Sequence, residues 1–297
     1  MHVFVTGASG HIGSAVVDEL VQAGHHVSGL ARSDESAAAL AAKGVRAHRG
    51  DLDDLDGLQS AAAASDGVIH LAFKHDFDNF VAAAESDLRA VEAIGEALVG
   101  SGRPFVSTSG TLLLSLLGQG GLATEHDTVP GGPRVDSENA VIALAERGVR
   151  SSVIRLSPLV HSNLDHHGFT SHLVSTARST GVSAYLGDGA NRWPAVHTLD
   201  AAHLYRLALE KAPAGTRLHG VADEGVPFRD IAAVIGRHLG VPAVSIPAEE
   251  AGHFGFLALF AALDNPTSSA LTRKVLEWQP EGPGLLEDLE AGHYFGE

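Results

Sequence analysis

Short runs rich in β-branched residues alternate through the first half of this chain with Ala-rich segments whose apolar residues fall at helical spacing. "HVFVTG", "HHVSGLAR", "VRAHRGD", "GVIHLAF", "PFVSTSG" and "SSVIRLSP" read as strands. "SAVVDELVQAG", "DESAAALAAKG", "VAAAESDLRAVEAIGEALVGSG" and "ENAVIALAERG" read as helices that stop at glycine. A rhythm of βαβ units implies a parallel sheet covered on both faces, so the expected class is α/β, a doubly wound parallel sheet. Past Pro158 the pattern loosens into a His- and Gly-rich stretch. It then resumes with a helix, "DAAHLYRLALEKA", and a short strand, "RLHGVA", suited to rejoin the sheet. The expected division is a dinucleotide-binding domain over 1–160 that 196–224 rejoins. A smaller C-terminal substrate lobe follows from 161–195 and 225–297, with a ligand cleft between the two.

Composition narrows the partners. Twenty Lys and Arg against 36 Asp and Glu leave a net charge of −16, which repels a phosphate backbone and supplies no basic cluster for an anionic membrane. Neither nucleic acid nor membrane is an expected partner, and a small-molecule substrate is. Without cysteine there is no disulfide, thiolate nucleophile or thiolate-bound zinc, as suits a reducing compartment. Met1 leads into a strand-like run rather than a signal peptide, and "FGFLALFAAL" (254–263) is too short to span a bilayer. The expected location is cytoplasmic.

The most specific motif is "FVTGASGHIGSAVVDEL", which places Gly7, Gly10 and Gly13 at a strand-to-helix turn. Glycines there permit the tight turn, let backbone N–H groups approach a pyrophosphate, and set the helix N-terminus against the anion. With this turn the chain resembles the short-chain dehydrogenase/reductase superfamily, in particular its extended members of the NAD-dependent epimerase/dehydratase type, over almost its whole length. The resemblance implies a Rossmann-like fold with cofactor contacts at Thr6, Gly7, Gly10, His11, Ile12 and Gly13. It further implies that Asp51 and Leu52 of "GDL" hold the adenine, and that Leu71 and Ala72 of "VIHLAF" lie beside the ribose with Ser107. Pro158 and Leu159 of "RLSPLV" would meet the nicotinamide carboxamide. At the end of the second strand the chain reads Leu30, Ala31, Arg32, Ser33, with no carboxylate for a ribose 2′-OH. An arginine fork and a serine hydroxyl suit a 2′-phosphate, so the expected cofactor is NADP(H).

The family's Ser, Tyr and Lys move the proton during catalysis, and only the serine has a counterpart, Ser109. Aligning Ser137 of "PRVDSENAVIALAERGVR" on the family's Tyr-x-x-Ser-Lys pattern puts Arg134 in place of the tyrosine and Glu138 in place of the lysine. No tyrosine elsewhere has a lysine four residues later. Ligands of open parallel sheets bind at the C-terminal strand ends. That rule selects Ser109, His75 and Arg134 as catalytic candidates, with His75 as the proton donor because imidazole titrates near neutrality. Lys74, Thr111, His161, Trp193 and His197 are expected to line the substrate side, with Asp200 capping the following helix. Arg134 and Glu138, at i and i+4, are expected to pair with each other. The cluster "HSNLDHHGFTSH" has no ligand spacing of a standard metal site, so none is assigned. The expected activity is an NADP(H)-dependent oxidoreductase acting on a carbonyl of a small organic molecule. The alternatives are an epimerase- or dehydratase-like isomerase or lyase, and a noncatalytic dinucleotide-binding regulator.

Overall fold

A computed structural model describes residues 1–76, 79–117 and 121–296, without the side chains of 116 and 117. The first half runs β1 (His2–Thr6), α1 (His11–Gln22), β2 (His26–Ala31), α2 (Asp34–Ala42), β3 (Arg46–Arg49), α3 (Leu55–Ala63), β4 (Gly67–His70), α4 (Phe80–Leu98), β5 (Pro104–Gly110), α5 (Val135–Ala143) and β6 (Arg150–Leu156). The second runs β7 (Leu159–His161), α6 (Phe169–Thr180), β8 (Ser183–Leu186), β9 (Arg192–His197), α7 (Thr198–Lys211), β10 (Thr216–Gly220), β11 (Asp223–Pro227), α8 (Phe228–Leu239), β12 (Ala243–Ile246), α9 (Ala270–Leu276) and α10 (Leu285–Glu290).

Seven strands form one sheet in the order β10-β6-β5-β4-β1-β2-β3, with every pairing parallel. A parallel sheet buries both faces, which is why Val3, Phe4, Val5, Val68, Ile69, Phe105 and Val106 are all fully inside. One face packs against α1 and α7 through Val16, Leu20, Leu204 and Tyr205, the other against α3 and α4 through Leu58, Val91 and Ile94. Chain order reverses between β1 and β4, and this switch opens a crevice at the strands' C-terminal ends.

The smaller C-terminal lobe has a three-stranded sheet, β11-β9-β7, and a two-stranded one, β12-β8. Its core forms around Trp193, which is fully buried, meets the Phe228 ring at 5.1 Å and donates its indole N–H to Leu263 O at 3.1 Å. Helix α8 closes this core with Phe228, Ile231, Val234 and Ile235 and stops at Gly240, whose φ of 68° is left-handed. The apolar run 254–263 begins in a 3-10 segment, Ala248–Leu259, kinked at Gly255. Among the described residues no helix is long and apolar enough to cross a membrane. Because Trp193 sits at the centre of the lobe core, Trp193→Ala is expected to lower unfolding free energy by about 3–5 kcal/mol in a denaturant titration.

Candidate active site

The glycine turn is built by close backbone approach. The Thr6 hydroxyl accepts from Leu71 N and Ala72 N at 3.2 Å each and meets His70 Nδ1 at 2.8 Å, sealing the end of β1 to that of β4. Gly7 has φ 68°, and a Cβ there would stand 2.8 Å from Ala72 N. A Cβ on Gly13 would stand 2.0 Å from Gly7 O, so only glycine fits. Gly10 differs: a Cβ there meets only Gly7 O, at 3.3 Å, and otherwise faces open space. Gly10 starts α1 and no side chain caps the helix. The first-turn N–H groups of His11, Ile12 and Gly13 thus have no intrahelical partner. A cradle that a side chain would fill, rimmed by orphan N–H groups at a positive helix end, fits a dinucleotide pyrophosphate.

Next to this cradle, Leu52 is buried while Asp51 is exposed, its Oδ1 accepting from Asp53 N at 2.8 Å. Asp54, not Asp51, caps α3. Lys74 reaches Asp53 at 2.6 Å, and this contact, then that of Ser86, lowers the pKa of Asp53. Around the end of β2, Arg32 is exposed and the Ser33 hydroxyl is engaged in a capping box with Ser36 that starts α2. Arg49 bonds Ser33 O at 2.6 Å and pairs with Asp34 at 2.9 Å.

Over β4 and β5, Arg134 takes an unusual backbone conformation, φ 67° and ψ −33°, at the N-cap of α5. For a residue with a side chain this strain costs about 1–3 kcal/mol, which the surroundings must offset. They do so on three sides: Arg134 NH1 lies 3.0 Å from Asp87 Oδ2, NH2 donates to Thr108 O at 3.1 Å, and the guanidinium stacks 4.0 Å over the Phe73 ring. Asp87 is fully buried and its other oxygen meets His70 Nε2 at 3.2 Å. Since Thr6 O–H and Asp87 flank the His70 ring, hydrogen bonds run from the glycine turn through His70 to Asp87, and an ion pair continues from Asp87 to Arg134. Burial opposes ionisation of Asp87, but Arg134 and then His70 outweigh it and hold its pKa below the ordinary value.

The expected Arg134–Glu138 pair is not formed. Glu138 instead accepts from Arg155 at 2.6 and 3.0 Å and from Arg217 at 2.7 Å. The reason lies in the backbone: Arg134 stands outside the helical conformation, so its side chain leaves the face on which an i+4 residue would meet it. Glu138 is buried, and Arg155, then Arg217, overcome that burial to hold its pKa low. Arg155 also donates to Asp127 O at 2.8 Å and lies 3.3 Å from His219 Nε2.

The remaining candidates distribute unevenly. Ser107 and Ser109 are buried on β5. His75, edge-on to Phe73 at 5.5 Å, has its pKa lowered by burial and then by the charge of Arg134. Thr111 is fully buried and accepts from Asn265 Nδ2 at 2.9 Å. Leu159 is buried on β7, following Pro158 in the connection from β6. His161 is fully buried with Nδ1 against Asp288 at 2.8 Å, and the His197 ring lies 5.6 Å away. His197 caps α7, whereas Asp200 lies inside that helix and binds Glu281 N and Gly282 N at 2.9 Å each. His172 bonds Phe254 O, and Asp165 bonds Gly168 N and Tyr294. Among the described residues no group of three or more such side chains is arranged to hold a metal ion. Tyr205 is no substitute for the missing tyrosine: it is fully buried, hydrogen-bonded to Thr108 at 2.7 Å, and its pKa is pushed well up by burial.

Asp87, His70, Arg155 and Arg217 were absent from the sequence-based candidates. Asp87 had a signal, since it falls on the apolar stripe of α4 with Ala83, Ala84, Ala90, Val91 and Ile94, where a carboxylate needs a buried partner.

Three outcomes follow from this geometry. Gly10→Val is expected to abolish dinucleotide binding in calorimetry while the melting temperature stays near wild type. Gly13→Ala is expected to lower the melting temperature itself. Asp87 and Glu138 have native pKa values below their ordinary 3.8 and 4.5. The stability they contribute is therefore complete above those ordinary values and is lost as pH falls from them toward the native ones. Asp87→Asn should flatten this acid limb in melting scans, at a cost at neutral pH from the stranded Arg134.

The pattern of the NAD dependent epimerase/dehydratase family matches residues 3–121. An uncharacterized protein of Schizosaccharomyces pombe is 48% identical over 296 residues, 99% of this chain and 100% of that one. A dTDP-glucose 4,6-dehydratase double mutant of Streptomyces venezuelae, solved with NAD and DAU bound, superposes with a TM-score of 0.79 at 20% identity, over 99% of this chain and 96% of that one. A UDP-glucose 4-epimerase of Thermus thermophilus in complex with NAD superposes at 0.74 and 20% identity, over 100% and 99%. These findings overturn the expectation of an NADP(H)-dependent oxidoreductase: the matching family is NAD dependent, and the superposed structures whose cofactor is named hold NAD. At β2 the Ser33 hydroxyl is already engaged in capping and Arg49 is paired with Asp34, so the serine expected to bind a 2′-phosphate has another partner. Binding measurements are expected to give NAD(H) the lower dissociation constant, with Arg32→Ala changing it no more than about twofold. Glycine turn, parallel sheet and C-terminal lobe together say the same as the matches: this chain belongs to the NAD-dependent epimerase/dehydratase family.

Proposed function

We propose that the protein binds NAD at the glycine turn and performs isomerase or lyase chemistry on a small organic molecule held between the strand ends and the C-terminal lobe. The observation that carries this reading is the open cradle at Gly10, with Ser109 on β5, His75 beyond the end of β4, and Arg134 at the start of α5 bonded to Thr108 of β5. Bound NAD would supply a hydride acceptor that returns the hydride within the same turnover, so no net oxidation results. Ser109 orients the substrate oxygen. His75 moves the proton that the family's tyrosine moves: its lowered pKa leaves it neutral near pH 7, ready to accept a proton and return it. Arg134 and Glu138, both locked in ion pairs, supply fixed charge and no mobile proton.

The test is turnover of nucleotide-sugar and hydroxy-acid panels with catalytic NAD, read by product mass and absorbance of reduced cofactor. The expected products are isomers or dehydrated compounds without accumulation of NADH. Stoichiometric NADH, or no product from any member, would overturn the reading. His75→Gln is expected to lower kcat about 100-fold or more with NAD affinity unchanged. One observation favours a second reading, a noncatalytic NAD-responsive regulator: both relay positions are occupied by interlocked ion pairs. That reading gains if NAD binds tightly while His75→Gln and wild type are equally inactive.

A further inference from the structure

Arg134 carries more hydrogen-bonding capacity than its known partners absorb. A guanidinium has five N–H donors in a planar fork. The Thr108 carbonyl accepts from one of them, Asp87 stands against NH1 as an ion partner, and Phe73 covers one face of the plane. Among the described residues no other hydrogen bond engages the guanidinium. The side chain is 14% exposed, so part of it can be reached by a ligand. His75 lies close enough for the charge to be felt at its ring. The anchor is rigid, because Asp87 is itself fixed by His70 and, through it, by Thr6 of the glycine turn.

We propose that Arg134 is an anion-recognition group and that the substrate of this site presents a carboxylate to it. This rests on the reading that the strand ends at β4 and β5 form the reaction site. A planar monoanion matches a single free guanidinium edge, on which two parallel N–H bonds can form. A phosphate dianion is a poorer match, because the neighbouring cations are already engaged: Lys74 by Asp53, and Arg155 and Arg217 by Glu138. Asp87 has already neutralised one charge, so a monoanion leaves the locus at −1 and a dianion at −2 in a chain of net charge −16. Arg134 thereby selects the substrate class, and Asp87 is the positioning residue that holds the fork in place.

Acetate, the bare carboxylate, is the probe. NAD-saturated protein is titrated with pH in sodium acetate, sodium chloride and sodium phosphate at equal ionic strength, and in chloride with added acetamide. The His75 ring resonance, identified by its loss in His75→Gln, reports the charge at Arg134. Acetate is expected to raise the His75 midpoint by about 0.5 unit or more relative to chloride, since an anion on the guanidinium removes the repulsion that lowers it. Phosphate is expected to do less and acetamide nothing. Arg134→Gln should raise the midpoint without any anion and abolish the acetate response. A midpoint indifferent to acetate, or an equal response in Arg134→Gln, overturns the proposal. If phosphate raises it more than acetate, the carboxylate assignment is wrong. Where Arg134→Gln fails to fold, the wild-type contrast of acetate with acetamide still decides. An acetate response without turnover on any panel would instead count against the isomerase or lyase reading and leave the anion site standing.

Discussion

The seal between the ends of β1 and β4 is the contact on which the rest of this molecule depends. One hydroxyl, Thr6, takes two backbone N–H groups of the β4 exit and faces the His70 ring, while Gly7 lies so close to Ala72 that no side chain fits between. That approach sets where the glycine turn points and therefore where α1 presents its first-turn N–H groups. It also fixes His70, and through Asp87 it fixes Arg134. The glycine turn and Arg134 are in this way two ends of one chain of hydrogen bonds closed by an ion pair.

Exchanging the family's tyrosine and lysine for arginine and glutamate is a change of electrostatic design as much as of residues. A buried charge left without a partner is costly, and breaking one partner of a buried pair costs several kcal/mol. Arg134 is accompanied by Asp87, and Glu138 by Arg155 and Arg217. Each substitution is stable only because its partner sits on another element: α4 for the first, β6 and β10 for the second. At the two positions aligned with that pattern the chain holds charges fixed in ion pairs. His75, proposed above to move the proton, has its pKa lowered by burial and then by the charge of Arg134.

Much of this was legible in the chain itself. Helical spacing and terminal glycines marked α1, α2 and α4, and the βαβ rhythm marked the sheet. The glycine turn marked the cofactor site because its requirements are local: φ, backbone clearance and a helix start lie within eight residues. The cofactor's identity was misread for the opposite reason. Arg32 and Ser33 looked suited to a 2′-phosphate, but the fate of Ser33 depends on Ser36 and that of the local charge on Asp34 and Arg49. Trp193 was placed at a pocket edge and lies in the lobe core, since an aromatic residue in a loose stretch carries no mark of what will pack over it.

The sequence by itself determined the alternating elements, the parallel sheet, the pyrophosphate turn and the absence of the Tyr–Lys pair, because each follows from short-range periodicity or from residue identity at one position. Only the tertiary structure decided what stands in that pair's place. Asp87 meets Arg134 across 47 positions, and Arg217 meets Glu138 across 79. No local pattern encodes contacts at such separations. The choice between a pair within one helix and two pairs reaching out of it was made by the backbone of Arg134, whose φ of 67° turns its side chain away from α5 and toward a buried carboxylate.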